Sequence, residues 1–223
     1  MIQNEVFTRD ESNSEGQRIS EGTYNLVIGL VLCWGFGLNW VMVKTIPYES
    51  IVSIHPLLFF AGYFVSCFLG ITLYKTYDNP LISFIGYNFI VVPFGFIINL
   101  VVNQYDPGLV LDAIRVTGIV TFAMMVLGTL FPAFFRKIAG ILTLTLLIVI
   151  AVELVEIFFL HTHHGIIDWI VVIIFCGYIG YDWGRANQIP KTMDNAVDSA
   201  AALYMDIINL FLRILRIMGR SRR

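Results

Sequence analysis

Charge is scarce in this chain. Asp, Glu, Lys and Arg together make 13% of its 223 residues, about half the share in a soluble domain, which excludes a water-facing globule of ordinary composition. Cysteine is scarcer still. Cys33, Cys67 and Cys176 each lie in an apolar stretch without metal-ligand spacing, so neither a disulfide framework nor a thiolate metal site is expected. Catalytic signatures are missing as well: there is no Gly-x-Ser-x-Gly, no His-Glu-x-x-His and no phosphate-binding glycine loop, and an enzyme is not expected. No nucleic-acid motif accompanies the basic residues, so nucleic acid is not an expected partner.

Apolar residues are what the chain has in abundance. They make 57% of it and the mean hydropathy is +0.78, so the expected solvent is lipid and the class is a polytopic membrane protein. Apolar stretches fall at about residues 24–43, 56–74, 82–102, 113–131, 138–160 and 166–181, each long enough to cross or nearly cross a bilayer as a helix. A seventh lies at about 197–218. Ile46-Pro47, Asp78-Asn79-Pro80, Asp106-Pro107-Gly108 and the polar segment 184–198 separate the stretches, as Pro, Gly and Asx residues do. Pro93, inside the third stretch, is expected to kink its helix. The expected architecture is all-α, a polytopic membrane bundle of about seven transmembrane helices. Residues 1–22 read as a mobile polar tail, 23–219 as the bundle and 220–223 as a basic tail, with insertion starting at the first span.

With the amino terminus inside, Arg9, Arg18, Lys75, Arg136, Lys137, Arg185 and Lys191 fall on the inner side, in the tail and loops, and only Lys44 and Arg115 lie near outer ends. That bias supports a cytoplasmic amino terminus. The last stretch conflicts with it, because the arginines from Arg213 to Arg223 go outside if that helix spans. Either the helix is re-entrant or incompletely spanning, or packing overrides the rule. On a helical wheel Asp198, Asp206, Asn209, Arg213 and Arg216 share an arc of roughly 80°. Asp206 is too deep in the apolar run to face lipid.

Asp182 and Asp206 stand out, since a carboxylate in or beside hydrocarbon is costly and a pair of them points to function. Two carboxylates brought together in a low-dielectric bundle cannot both ionise cheaply, so they are expected to titrate as a unit around one shared proton. Glu153 and Glu156 share a face of the fifth stretch. They offer the oxygen ligands that Ca²⁺ prefers, against the alternative that they end the helix and face water. His161, His163 and His164 invite a zinc reading, but a solvated turn is the expectation and no metal site is assigned. Asp112 and Arg115 read as a helix ion pair, and Asn88, Asn99 and Asn103 as interhelical hydrogen-bonding groups.

Two segments, Phe175-Cys-Gly-Tyr-Ile-Gly-Tyr-Asp182 and Ala202-Leu-Tyr-Met-Asp-Ile-Ile-Asn-Leu-Phe-Leu-Arg-Ile-Leu-Arg-Ile-Met-Gly219, resemble the carboxyl-terminal signature of the Bax inhibitor-1, or transmembrane Bax inhibitor motif, family. Ala113-Ile-Arg-Val-Thr-Gly118 and the span from Tyr24 to Met42 are similar to family spans more loosely. The resemblance implies a bundle with a central C-terminal helix, and a calcium leak pathway sensitive to pH in which Asp182 and Asp206 are the sensing pair. It also implies links to protection from cell death and to modulation of a membrane protease. Family structures place a basic side chain from an early helix near the aspartates, yet residues 56–74 hold no Lys or Arg before Lys75. Lys75, Arg185 and Arg213 are therefore the candidate latch partners, with Glu153, Glu156 and Asn209 as further contributors to an ion pathway.

The expected function is a pH-sensitive passive calcium leak channel gated by a two-aspartate latch. Its partners are the bilayer and Ca²⁺ as the transported ion, with no cofactor. The alternative is a non-conducting membrane modulator that binds a membrane protease or another membrane protein. Short loops favour a bacterial-type inner membrane over an endomembrane.

Overall fold

Among the described residues four helices begin on proline, and two of those prolines, Pro80 and Pro107, lie in turns the sequence marks. The four helices are α3 (Pro56–Thr76), α4 (Pro80–Val102), α5 (Pro107–Leu130) and α6 (Pro132–Val155). Proline at the first helical position forfeits no hydrogen bond, because that N–H has no intrahelical acceptor. In α4 and α5 the residue before it caps the helix: Asn79 Oδ1 accepts from the Leu81 amide at 3.0 Å and Asp106 Oδ2 from the Gly108 amide at 2.9 Å. The remaining elements are α1 (Glu21–Thr45), the short α2 (Tyr48–Val52), α7 (Gly165–Ala186) and α8 (Met193–Ser221). This computed structural model describes residues 18–156 and 165–221. The tail to residue 17, the histidine segment and Arg222 and Arg223 lie outside the described residues. Among the described residues six helices, α1 and α3 to α7, are long and apolar enough to cross a membrane. The chain is an all-α, multi-pass membrane bundle.

Two local details differ from the sequence reading. Helix α2 occupies what reads as a plain turn, and α5 and α6 are separated by Phe131 alone. Arg136 and Lys137 therefore sit in the first turns of α6 rather than in a loop. Their end of the bundle is unchanged, since Arg136 Nη2 donates to Gln188 Oε1 in the α7–α8 connection at 2.6 Å.

Helix α4 runs on through Pro93. The proline has no N–H for the Phe89 carbonyl four residues earlier, and in lipid that oxygen needs another donor. Ser66 Oγ of α3 supplies it at 2.7 Å. The same two helices touch backbone to backbone lower down, where a Cβ on Gly86 would lie 2.7 Å from the Gly70 carbonyl oxygen and 3.0 Å from Leu73 Cβ. Small residues at such a crossing let dispersion attraction act at close range, which is what holds membrane helices together. Gly86→Val is expected to push α3 off α4 and cost about 1–3 kcal/mol by overpacking. A thermal melt in detergent checks this, and an unchanged midpoint would remove the close approach as the holding contact.

Helix α8 lies at the centre. It packs against α1, α4, α5 and α7, while α3 lies against α4 and α6 against α7. Ala196, Ala200, Leu203, Tyr204, Leu210 and Leu215 are all buried along it. The resemblance implied six helices around the last one; four contact it broadly, and α3 and α6 form an outer layer. Buried on α8, the Tyr204 hydroxyl donates to Asn39 Oδ1, and Asn39 Nδ2 donates to the Val91 carbonyl at 3.0 Å.

Helices α7 and α8 are antiparallel over the whole of α7. Asp206 lies beside Asp182, and Arg220, fourteen residues further along α8, lies beside Asp168, fourteen residues earlier in α7. Helix α8 is one continuous helix along that whole length, and three of its arginines, Arg213, Arg216 and Arg220, are ion-paired to Asp168.

Candidate functional site

The last turns of α7 carry Asp182 and Arg185, the end of α3 carries Tyr74 and Lys75, and α8 carries Asp198 and Asp206. The antiparallel register sets the Asp182 and Asp206 carboxyls in a mutual hydrogen bond. Such a bond needs a proton on one of the two, since an ionised carboxylate only accepts. Asp206 is 7% exposed, and its Oδ2 is buried with no hydrogen-bond partner. Arg185 and Lys75 are the positive charges facing Asp182, whereas the charge facing Asp206 is that of Asp182. Tyr74, also buried, stands within range of Asp182, Asp198, Asp206 and Arg185.

Around this cluster the end of the bundle is tied by polar contacts. Ser83 Oγ donates to Asp194 Oδ1 at 2.7 Å, and the Tyr24 hydroxyl meets Ser199 Oγ at 3.0 Å. The Ile19 amide donates to the Lys191 carbonyl at 2.9 Å. Lys191 Nζ donates to the Ala186 carbonyl at 2.7 Å and lies 4.6 Å from the Tyr24 ring centre. Partial burial pushes this ammonium below its ordinary range, with Glu21 pulling the other way.

A second charged layer closes the other end. Arg213 forks onto Glu153, with Nη2 to Oε2 at 2.8 Å and Nη1 to Oε1, and Nη1 also reaches Asp168 Oδ1 at 2.9 Å. Arg216 Nη1 lies 3.1 Å from the same oxygen, and Arg220 Nη2 lies 2.6 Å from Asp168 Oδ2. Asp168 is fully buried, at 0% exposure.

This geometry sorts the residues singled out in the sequence. Asp182, Asp206, Lys75 and Arg185 come together. Arg213 does not join them: it lies seven residues beyond Asp206, about 10 Å along the axis, and its guanidinium is taken by Glu153 and Asp168. Glu153 and Glu156 do not face water as helix-end acids. Glu153 is ion-paired and Glu156 is 4% exposed. Asn209 Nδ2 donates to the Met205 carbonyl of its own helix at 2.8 Å. Asp112 and Arg115 do pair, at 3.4 Å on an exposed face. Asn88 and Asn99 bond across helices, to Trp34 and to the Met42 and Ile46 carbonyls, while Asn103 bonds within α4's end. Among the described residues no group of three His, Cys, Asp or Glu is arranged to hold a metal ion. His161, His163 and His164 lie outside the described residues.

Asp168 was missed by sequence reading. A usable signal existed: Arg213, Arg216 and Arg220 repeat on one face of α8, and three guanidinium groups at that spacing require an acidic neighbour. The acid within the sixth apolar run, four helical turns before Asp182, was the candidate.

Comparison with known proteins agrees with this architecture. The family model described as inhibitor of apoptosis-promoting Bax1 matches residues 17–223. The chain is 37% identical over 90 residues to a BI1-like protein of Arabidopsis thaliana, covering 39% of this chain and 34% of that protein. It is 47% identical over 55 residues to Protein LIFEGUARD 3 of the same plant, covering 24% of this chain and 21% of that protein. The matched regions thus span about a third or less of these two relatives. An uncharacterised protein of Helicobacter pylori is 23% identical over 222 residues, covering 96% of this chain and 92% of the relative.

Proposed function

The chain belongs to the Bax inhibitor-1 family of multi-pass membrane proteins, and from that premise we propose that it is a passive, pH-sensitive calcium leak gated by Asp182 and Asp206. The observation that carries the reading is the hydrogen-bonded carboxyl pair between α7 and the central helix, with a buried carboxylate oxygen left unpartnered. In this reading Asp206 donates the shared proton to Asp182, whose charge faces Arg185 and Lys75. The pair clamps α7 to α8, and Lys75 draws the end of α3 toward them. Ca²⁺, which takes six to eight oxygen ligands in flexible arrangements, passes along α8 when the clamp opens.

Purified protein in dye-loaded liposomes is expected to move Ca²⁺ down its gradient well above empty vesicles, without nucleotide or a counter-gradient. Flux equal to that of empty vesicles from about pH 5 to 8, the range around the histidine titration, would overturn the leak. It would favour instead a non-conducting membrane modulator that acts through a membrane partner.

A further inference from the structure

We propose that the layer formed by Glu153, Asp168 and Arg213 is a second barrier, in series with the aspartate pair, and that Arg213 is the residue that closes it; this rests on the leak reading above. Asp206, Asn209 and Arg213 stand three and four residues apart and share one face of α8. A cation that has passed the aspartates therefore meets the Arg213 guanidinium about 10 Å further along the same face.

The guanidinium is held from two sides, by the Glu153 carboxylate of α6 in a fork and by Asp168 Oδ1 of α7 at 2.9 Å. Three helices are thus pinned at one point, by a fixed positive charge in a region of low dielectric. Asp168 is the positioning residue, since its two oxygens also hold Arg216 and Arg220 and so orient the last turns of α8. When Arg213 leaves, it uncovers the carboxylate oxygens of Glu153 and Asp168, which are hard ligands of the kind Ca²⁺ takes. The barrier and the way-station are the same layer in two states.

The test uses the full chain with Cys33, Cys67 and Cys176 replaced by Ala and a thiol introduced by Asn209→Cys, between the two layers. A membrane-impermeant maleimide is added from the side on which α8 ends. The thiol is expected to be protected in the parent and to react about tenfold faster when Glu153→Gln or Arg213→Gln is added. Arg213→Lys is expected to be intermediate, because an ammonium keeps the charge and loses the fork. Where Arg213→Gln does not fold, Glu153→Gln carries the test, since it takes away the fork and leaves Arg213 on the single contact to Asp168 Oδ1, which keeps the guanidinium charge compensated for folding but no longer pins it across the path. Unchanged labelling in folded Glu153→Gln overturns the proposal even if the parent conducts Ca²⁺. Faster labelling together with no Ca²⁺ flux in any variant would keep Arg213 as the closure of this end and sink the leak reading.

Discussion

Replacing Asp168 by Asn is expected to destabilise the bundle by about 3 kcal/mol, the lower end of what removing one partner from a buried ion pair costs. The substitution keeps the shape and takes away the charge that faces three guanidinium groups. Their exposures decide the size. Arg216 and Arg220 are 31% and 36% exposed and can turn to water, but Arg213 is 17% exposed and stays where it is. It keeps Glu153 alone, and an incompletely compensated charge in the bundle is the main penalty. Arg220→Gln removes a half-exposed partner and is expected to cost under about 1 kcal/mol. Thermal melts in detergent rank the two. If Asp168→Asn melts with the parent, the layer does not hold the end of the bundle.

The long apolar helices and the starts of α4 and α5 were legible because in lipid they follow from two simple constraints. A span needs about twenty apolar residues with its backbone satisfied internally, and Pro preceded by Asn79 or Asp106 supplies both a break and a cap. The α5–α6 junction was not legible, since Phe131 carries no turn chemistry and Arg136 and Lys137 look like loop residues although they begin a helix. The aspartate pair was legible as an unusual cost in a recognisable motif. Its cations were legible only in part: Arg185 stands three residues after Asp182 on the same helix, but Lys75 reaches the pair through the packing of α3 and Arg213 is kept from it by the register of α8 against α7, neither of which a local pattern encodes. The same register hid Asp168, whose surroundings, Gly165-Ile-Ile-Asp168-Trp, read as an ordinary polar helix start. Glu153 and Glu156 read from sequence either as water-facing acids or as part of an ion path; Arg213, arriving from sixty residues away, provides a third answer for Glu153.

The two single aspartate variants are expected to respond to pH in different ways, although the residues share one hydrogen bond. In the proposed clamp one proton lies between them, so two losses are open. Raising the pH removes that proton, and two adjacent negative charges drive α7 and α8 apart. Lowering it protonates Asp182 as well, and the attraction to Arg185 and Lys75 disappears. Ca²⁺ flux in liposomes is therefore expected to pass through a minimum when measured from about pH 5 to 8. Asp206→Asn keeps a donor facing Asp182 at every pH, because an amide carries N–H groups permanently. It should erase the alkaline rise and leave the acid one. Asp182→Asn removes the charge that Arg185 and Lys75 face, so the clamp to α3 is weak throughout and flux should stay high with little pH dependence. Adding Asp206→Asn to Asp182→Asn should change little more, since the two act through one contact. Parental pH profiles in both single variants would clear the aspartates of the sensing role and turn attention to His161, His163 and His164, which titrate in that window without help.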